Sequence, residues 1–300
     1  MKPSVAPRPE RDDLPGAGLR LAADRWGAPG DDVVVFLHGA GQSRRAWDDT
    51  ARAVAENGWH AVTVDHRGHG DSDWPAEPDY DWDHFADDVT AIVEHLDATP
   101  VLVGASLGGM SALLAQARAD DQLFRAVVLV DVTPRMELRG VQRIVGFMAA
   151  HPDGFDSLEA ASEIIAEYTG RPRPPTSDGL SQVLRKSSDG RWRWRWDIRF
   201  LDGRAELILD GDLDALRASQ MRERLHDGAR RIRVPTLVVR GANSDLVSAE
   251  GVEEFVHAVP GARYADVAGA GHMVAGDQND QFTAAVLEFL RDLRGAARTR

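Results

Sequence analysis

The sequence predicts an α/β domain: a mostly parallel sheet with helices on both faces and a cap inserted between two strands. Three observations carry this. Continuous apolar runs such as Val33-Val34-Val35-Phe36-Leu37 and Ala126-Val127-Val128-Leu129-Val130 suit strands covered on both faces. Segments of helical period alternate with these runs, so the connections are crossovers and the sheet is mostly parallel. Between residues 134 and 231 the alternation stops, and it resumes at Pro235.

In chain order, residues 1–16 are rich in proline and charge and are expected to form a flexible arm. Leu19 to Trp26 alternates weakly and is expected to be a first, edge strand. Val33–Leu37 follows as a buried strand and ends in His38-Gly39-Ala40-Gly41-Gln42. Ala46 to Asn57 is expected to be a helix stopped by Gly58. His60–Val64 is the next buried strand, and Asp65-His66-Arg67-Gly68-His69-Gly70-Asp71-Ser72 follows it. Phe85 to Leu96 has apolar residues at 85, 89, 92, 93 and 96, a helical period. The acidic residues around its start, Asp81, Asp83, Asp87 and Asp88, are expected to form a solvated helix face.

Pro100-Val101-Leu102-Val103 leads into Gly104-Ala105-Ser106-Leu107-Gly108-Gly109, and Met110 to Ala117 continues as a helix. A serine between strand and helix, with a glycine two residues to either side, has the G-x-S-x-G pattern of a nucleophile elbow. So tight a turn strains the serine backbone, and close approach of neighbouring elements leaves the flanking positions no room for side chains. After Val130 come Asp131-Val132-Thr133-Pro134 and the stretch read as the cap. It contains a proline-rich break at Arg171–Pro175 and Trp192-Arg193-Trp194-Arg195-Trp196, whose tryptophans are expected to anchor the cap on the core. Thr236–Arg240, a helix from Gly251 to Val259, a strand at Arg263–Val267 and a helix from Gln281 to Leu293 complete the chain.

Ligands in such sheets bind at the carboxyl ends of the strands, and the insertion leaves from one of those ends. Serine chemistry needs a base, an acid that orients the base, and donors for the oxyanion. The candidate base is His272, in the small-residue loop Ala268-Gly269-Ala270-Gly271-His272 after the last strand. The candidate acid is Asp245, at the end of Arg240-Gly241-Ala242-Asn243-Ser244-Asp245, favoured on the chain order Ser…Asp…His. Asp131, one strand earlier, is its rival. The candidate oxyanion hole is the backbone N–H of Leu107 and that of Ala40.

These motifs resemble the α/β-hydrolase fold superfamily over residues 20–134 and 232–293. The resemblance rests on His38-Gly39, Asp65-x-Arg67-Gly68-x-Gly70-x-Ser72, Gly104-x-Ser106-x-Gly108-Gly109, Gly241 to Asp245, and Gly271-His272. It implies eight strands, the second antiparallel, with a helical cap inserted after strand six. The domain reading is then an arm at 1–16, a core at 17–133 and 232–300, and a cap at 134–231.

Composition excludes several other chemistries. The net charge of −13 opposes a nucleic-acid surface and disfavours an anionic membrane. With no cysteine there is no disulfide, thiolate metal site or cysteine nucleophile. No secretory leader and no apolar stretch of spanning length is read, so a cytoplasmic location is expected. His66 and His69 lack an accompanying H-E-x-x-H, and no glycine-rich phosphate loop is complete, so neither metal nor cofactor is expected.

The function read from these residues is a serine hydrolase cleaving a small carboxylic ester or lactone through an acyl-enzyme. Carbon–carbon hydrolysis of diketones and cofactor-free perhydrolysis use the same triad and stay open. A non-catalytic small-ligand receptor on the same fold is the alternative of another class. Homodimerisation stays open as well.

Overall fold

A computed structural model of the chain describes residues 8–30, 32–170, 178–209, 215–272 and 279–298. Its strands are β1 (Glu10–Pro15), β2 (Arg20–Trp26), β3 (Val33–Leu37), β4 (His60–Val64), β5 (Val101–Ala105), β6 (Ala126–Val130), β7 (Leu184–Lys186), β8 (Trp192–Trp194), β9 (Thr236–Gly241) and β10 (Arg263–Val267). Its helices are α1 (Asp48–Glu56), α2 (Trp82–Leu96), α3 (Leu107–Arg118), α4 (Leu138–Ala149), α5 (Leu158–Thr169), α6 (Ala205–Leu209), α7 (Ala215–Arg231), α8 (Ala249–Ala258) and α9 (Asn279–Arg298).

Eight strands form one sheet in the order β1-β2-β4-β3-β5-β6-β9-β10. From β4 to β10 every neighbouring pair is parallel, whereas β2 runs antiparallel to both β1 and β4. Strand side chains alternate between two cores, as the period of two requires. Val33, Val35 and Leu37 pack with helices α2, α3, α7 and α8. Val34 and Phe36 pack with Trp47, Val54 and the α9 residues Phe282, Val286 and Phe289. Double coverage is why β3, β4 and β6 are buried at every residue and why β3 and β6 read as unbroken apolar runs, whereas β4 also buries His60 and Thr63.

Three sequence expectations are corrected. The arm extends less far than residue 16, because Glu10–Pro15 pairs with β2 as the edge strand. Only Leu14 of β1 is buried, and Asp12 and Asp13 pair with Arg25 and Arg20 across the strands. Such a charged strand is tolerated at an edge and has no apolar signature. The cap is also shorter than 134–231. Helix α7 buries Leu225 and Ala229 in the core beside α3, and a Cβ on Gly228 would lie 2.7 Å from the Leu113 carbonyl carbon. It therefore acts as the crossover helix before β9.

Asp88 is the third correction. It is buried on the inner side of α2 and takes both Nε and Nη2 of Arg67 at 2.7 Å. Asp81 is the N-cap of that helix, accepting the Asp83 N–H at 3.0 Å. Such a cap satisfies one of the orphan N–H groups of the first turn.

The insertion after β6 contains α4, α5, the β7–β8 hairpin and α6. The proline-rich break at 171–175 lies outside the described residues. Trp194, Trp196, Phe155, Met148 and Phe200 form an apolar cluster with Leu107 of the elbow and Tyr80 and Phe85 of the core. Backbone bonds fasten this cluster to the loop after β4. The Gly70 N–H donates to the Arg195 carbonyl at 2.6 Å, and the Asp197 N–H donates to the Gly68 carbonyl at 2.8 Å. Among the described residues, no helix is long and apolar enough to cross a membrane.

Candidate active site

Ser106 sits between β5 and α3 with φ 44° and ψ −109°. Positive φ in a non-glycine residue is strained and persists only where its surroundings impose it. Here the surroundings are tight on every side. A Cβ on Gly104 would lie 2.7 Å from the Gly109 nitrogen, and one on Gly108 would lie 2.6 Å from the Leu37 Cβ. The Ser106 N–H donates to the Val130 carbonyl at 3.1 Å, tying the turn to β6. Leu107 opens α3, so its N–H has no acceptor inside the helix.

Asp131 is the residue directly after β6, and it too has positive φ, at 48°. Its carboxylate is fully buried at 0% exposure and accepts three hydrogen bonds. The Gly241 N–H donates at 3.1 Å, the Ser244 hydroxyl at 2.7 Å, and His272 Nδ1–H at 2.7 Å. The loop bearing His272 reaches β6 because Gly241 lets it pass close; a Cβ there would lie 2.7 Å from the Ala270 carbonyl oxygen. With Nδ1 spent on Asp131, Nε2 is the imidazole nitrogen left for chemistry. Among the described residues, no hydrogen bond joins that imidazole to the Ser106 hydroxyl.

The structure does not bring Asp245 and His272 into hydrogen-bond contact, contrary to the expectation from chain order. The Ser244 hydroxyl takes the inner place beside Asp131 and accepts the N–H groups of Leu246 and Val247 at 3.1 and 3.2 Å. Asp245 turns outward to Arg143 of α4, with Nη2 to Oδ1 at 3.0 Å, and its side chain is 39% exposed. That guanidinium holds the Asp245 carboxyl below the usual carboxylate range. Arg143 also lies 4.8 Å from the Tyr168 ring centroid, so Asp245 is a tie between cap and core.

Ala40 lies in the loop after β3. A Cβ on its neighbour Gly39 would stand 3.5 Å from the Ser106 Cβ, which puts this loop beside the elbow. Gln42 Oε1 accepts the Gly39 N–H at 3.0 Å. Three buried imidazoles support the loop from behind. His38 Nε2 accepts the His66 N–H at 3.1 Å, so its Nδ1–H donates to the Gly39 carbonyl at 2.8 Å. His69 Nε2 accepts the Gly41 N–H at 3.2 Å, and its Nδ1–H donates to the Arg67 carbonyl at 2.9 Å. Burial pushes His38 down to about 4 and His69 down to about 3, so both stay neutral and keep these tautomers.

Asp65 anchors the loop after β4 that carries His66 and His69. It accepts Arg44 N–H at 2.6 Å, Arg44 Nη1 at 2.5 Å and Asp71 N–H at 2.8 Å. Ser72 closes the segment by donating to the Asp65 carbonyl at 2.7 Å and accepting the Ala22 N–H at 2.9 Å. The segment is visible in the sequence as a motif, but what its histidines hold is not, and neither is the role of Arg143. The signal in the sequence for His69 is its place between Gly68 and Gly70, in the loop directly after a buried strand.

Comparison with known proteins agrees with this architecture. The family model for the alpha/beta hydrolase fold matches residues 32–277, and the chain belongs to that family. An esterase of Mycobacterium tuberculosis is 30% identical over 266 residues, covering 86% of this chain and 82% of the relative. A crystal structure of an esterase from that organism superposes with a TM-score of 0.72 at 27% identity, covering 96% of this chain and 93% of the other. An sn-1-specific diacylglycerol lipase of Mus musculus is 29% identical over 273 residues, covering 86% of this chain and 80% of the relative. The structure of an E-2-(acetamidomethylene)succinate hydrolase superposes with a TM-score of 0.76 at 23% identity, covering 95% and 100% of the two chains. The chain is accordingly a hydrolase of this family.

Proposed function

We propose that this protein is a serine hydrolase of small carboxylic esters or lactones, with Ser106, His272 and Asp131 as its triad. The observation that carries the reading is the 2.7 Å bond from His272 Nδ1–H to a fully buried carboxylate, at the strand ends that also carry the strained serine. A buried, multiply hydrogen-bonded aspartate orients an imidazole and stabilises the imidazolium formed during turnover. Asp245, committed to Arg143, is poorly placed for that role.

In the proposed reaction His272 Nε2 takes the Ser106 proton as Oγ attacks the acyl carbon. The carbonyl electron pair moves to oxygen, and the N–H groups of Leu107 and Ala40 hold the resulting oxyanion. The tetrahedral intermediate collapses, His272 gives its proton to the leaving alkoxide, and an alcohol departs. Water then repeats the sequence on the acyl-enzyme, releasing a carboxylic acid and restoring Ser106. Each oxyanion donor of this kind is worth about 3 kcal/mol of barrier.

Small acyl groups are expected because the insertion after β6 packs in contact with the proposed oxyanion loop. A Cβ on Gly41 would stand 3.5 Å from Met148 Cε and 3.6 Å from Trp196 Nε1. The esterase and lipase relatives support ester chemistry without specifying the substrate. The test is a panel of p-nitrophenyl esters from acetate to laurate, with several lactones, run on wild type and Ser106→Ala. Turnover of short esters that vanishes in Ser106→Ala supports the reading. Equal rates in both proteins contradict it. A protein silent on every ester and lactone, yet labelled at Ser106 by a fluorophosphonate, would favour diketone or peroxide chemistry on the same triad.

A further inference from the structure

We infer that His69 is a positioning residue for the oxyanion loop, holding the Gly41 N–H so that the neighbouring Ala40 N–H keeps its aim. This rests on the proposed oxyanion hole and concerns a residue outside the triad. Gly41 has φ 77°, a turn conformation that favours glycine, and its N–H finds its acceptor in His69 Nε2 at 3.2 Å. The opposite ring nitrogen is held by the Arg67 carbonyl at 2.9 Å, which fixes the tautomer that leaves Nε2 as an acceptor. A fully buried ring with both nitrogens employed has little freedom to turn.

The ring is also where the cap meets the loop. His69 stacks on Trp196 with centroids 6.4 Å apart and planes at 24°, and meets Phe200 edge-on at 5.7 Å. The backbones of His69 and Trp196 form an antiparallel bridge. From the core side, Asp65 holds the same loop through Arg44 and the Asp71 N–H. The histidine thus transmits the position of the cap to the backbone beside the proposed oxyanion donor. Small displacements of such donors weaken transition-state stabilisation more than substrate binding.

Two substitutions separate the acceptor from the ring. His69→Phe keeps an aromatic ring against Trp196 but offers no acceptor. His69→Gln places an amide oxygen where Nε2 stands and gives up the ring. With p-nitrophenyl acetate, His69→Phe is expected to lower kcat about tenfold or more with KM changed less than about twofold. His69→Gln is expected to keep most of kcat. Amide hydrogen exchange at Gly41 should be slow in wild type and His69→Gln and faster in His69→Phe. His69→Leu carries the same expectation where the phenyl ring is not accommodated.

A His69→Phe protein that keeps wild-type kcat, or one more active than His69→Gln, overturns the inference and makes His69 a packing residue. Wild-type turnover that does not depend on Ser106 overturns the proposed function first, and the inference falls with it.

Discussion

The Asp131 carboxylate accepts Nδ1–H of His272 at 2.7 Å, while Asp245, at the end of the adjacent strand's loop, is held by Arg143 of the cap. Both aspartates satisfy the order Ser…Asp…His, so chain order could not choose between them. Asp131→Asn is expected to lower kcat about 10³–10⁴-fold, because an amide fixes the wrong imidazole tautomer. Asp245→Asn should cost less than about tenfold. Steady-state kinetics of the two variants on one ester decides the matter, and the reverse order would return the acid to Asp245.

Gly108→Ala should be strongly destabilising. The new Cβ would stand 2.6 Å from the Leu37 Cβ and against the Leu37 backbone, which sits in the middle of the sheet. Overpacking of this kind costs about 1–3 kcal/mol or more. A midpoint of urea unfolding unchanged from wild type would contradict the close approach of α3 to β3.

Asp48 gives a pH dependence. Burial pushes its carboxyl up to about 6 from the ordinary 3.8, with Asp24 adding to the rise and Arg45 and Arg44 opposing it. Its Oδ1 is buried without a hydrogen-bond partner. A raised folded-state value means the folded chain binds more protons between pH 3.8 and about 6, so this group's contribution to stability falls as pH rises through that window. Asp48→Asn should therefore raise Tm near pH 7.5 and leave it nearly unchanged near pH 4. An equal shift at both pH values would show that Asp48 does not titrate in this way.

Met148→Ala should move the preferred ester towards longer acyl chains. Met148 Cε lies against the Gly41 turn of the proposed oxyanion loop, where the insertion meets the proposed site. Comparing kcat/KM from acetate to laurate in the variant and wild type tests this. An unchanged chain-length profile would place the acyl pocket elsewhere.

Much of this fold is legible in the sequence, and the exceptions have physical reasons. β3 and β6 announce themselves because two helical layers leave them only apolar positions, and β4 nearly so, with His60 and Thr63 buried among its apolar residues. β1 does not, since an edge strand that buries Leu14 alone can be charged elsewhere. α7 reads as cap because most of its residues are polar, although Leu225 and Ala229 face α3. Asp88 looks like part of an acidic surface until Arg67, at the turn of a distant loop, is seen to reach it. Ser106 and His272 are legible as candidates from the glycine-rich turns that small residues must build. Which of Asp131 and Asp245 meets the His272 imidazole is not legible, because it depends on which side of a loop Ser244 occupies.

The most direct test of the central claim is the rate at which a fluorophosphonate modifies Ser106, followed by intact-mass and peptide mass spectrometry. Wild type should take up one phosphonyl group at Ser106. His272→Ala and Asp131→Asn should be modified at least about a hundredfold more slowly while remaining folded, and Ser106→Ala not at all. Equal labelling rates in wild type, His272→Ala and Asp131→Asn would contradict a serine activated through His272 and Asp131.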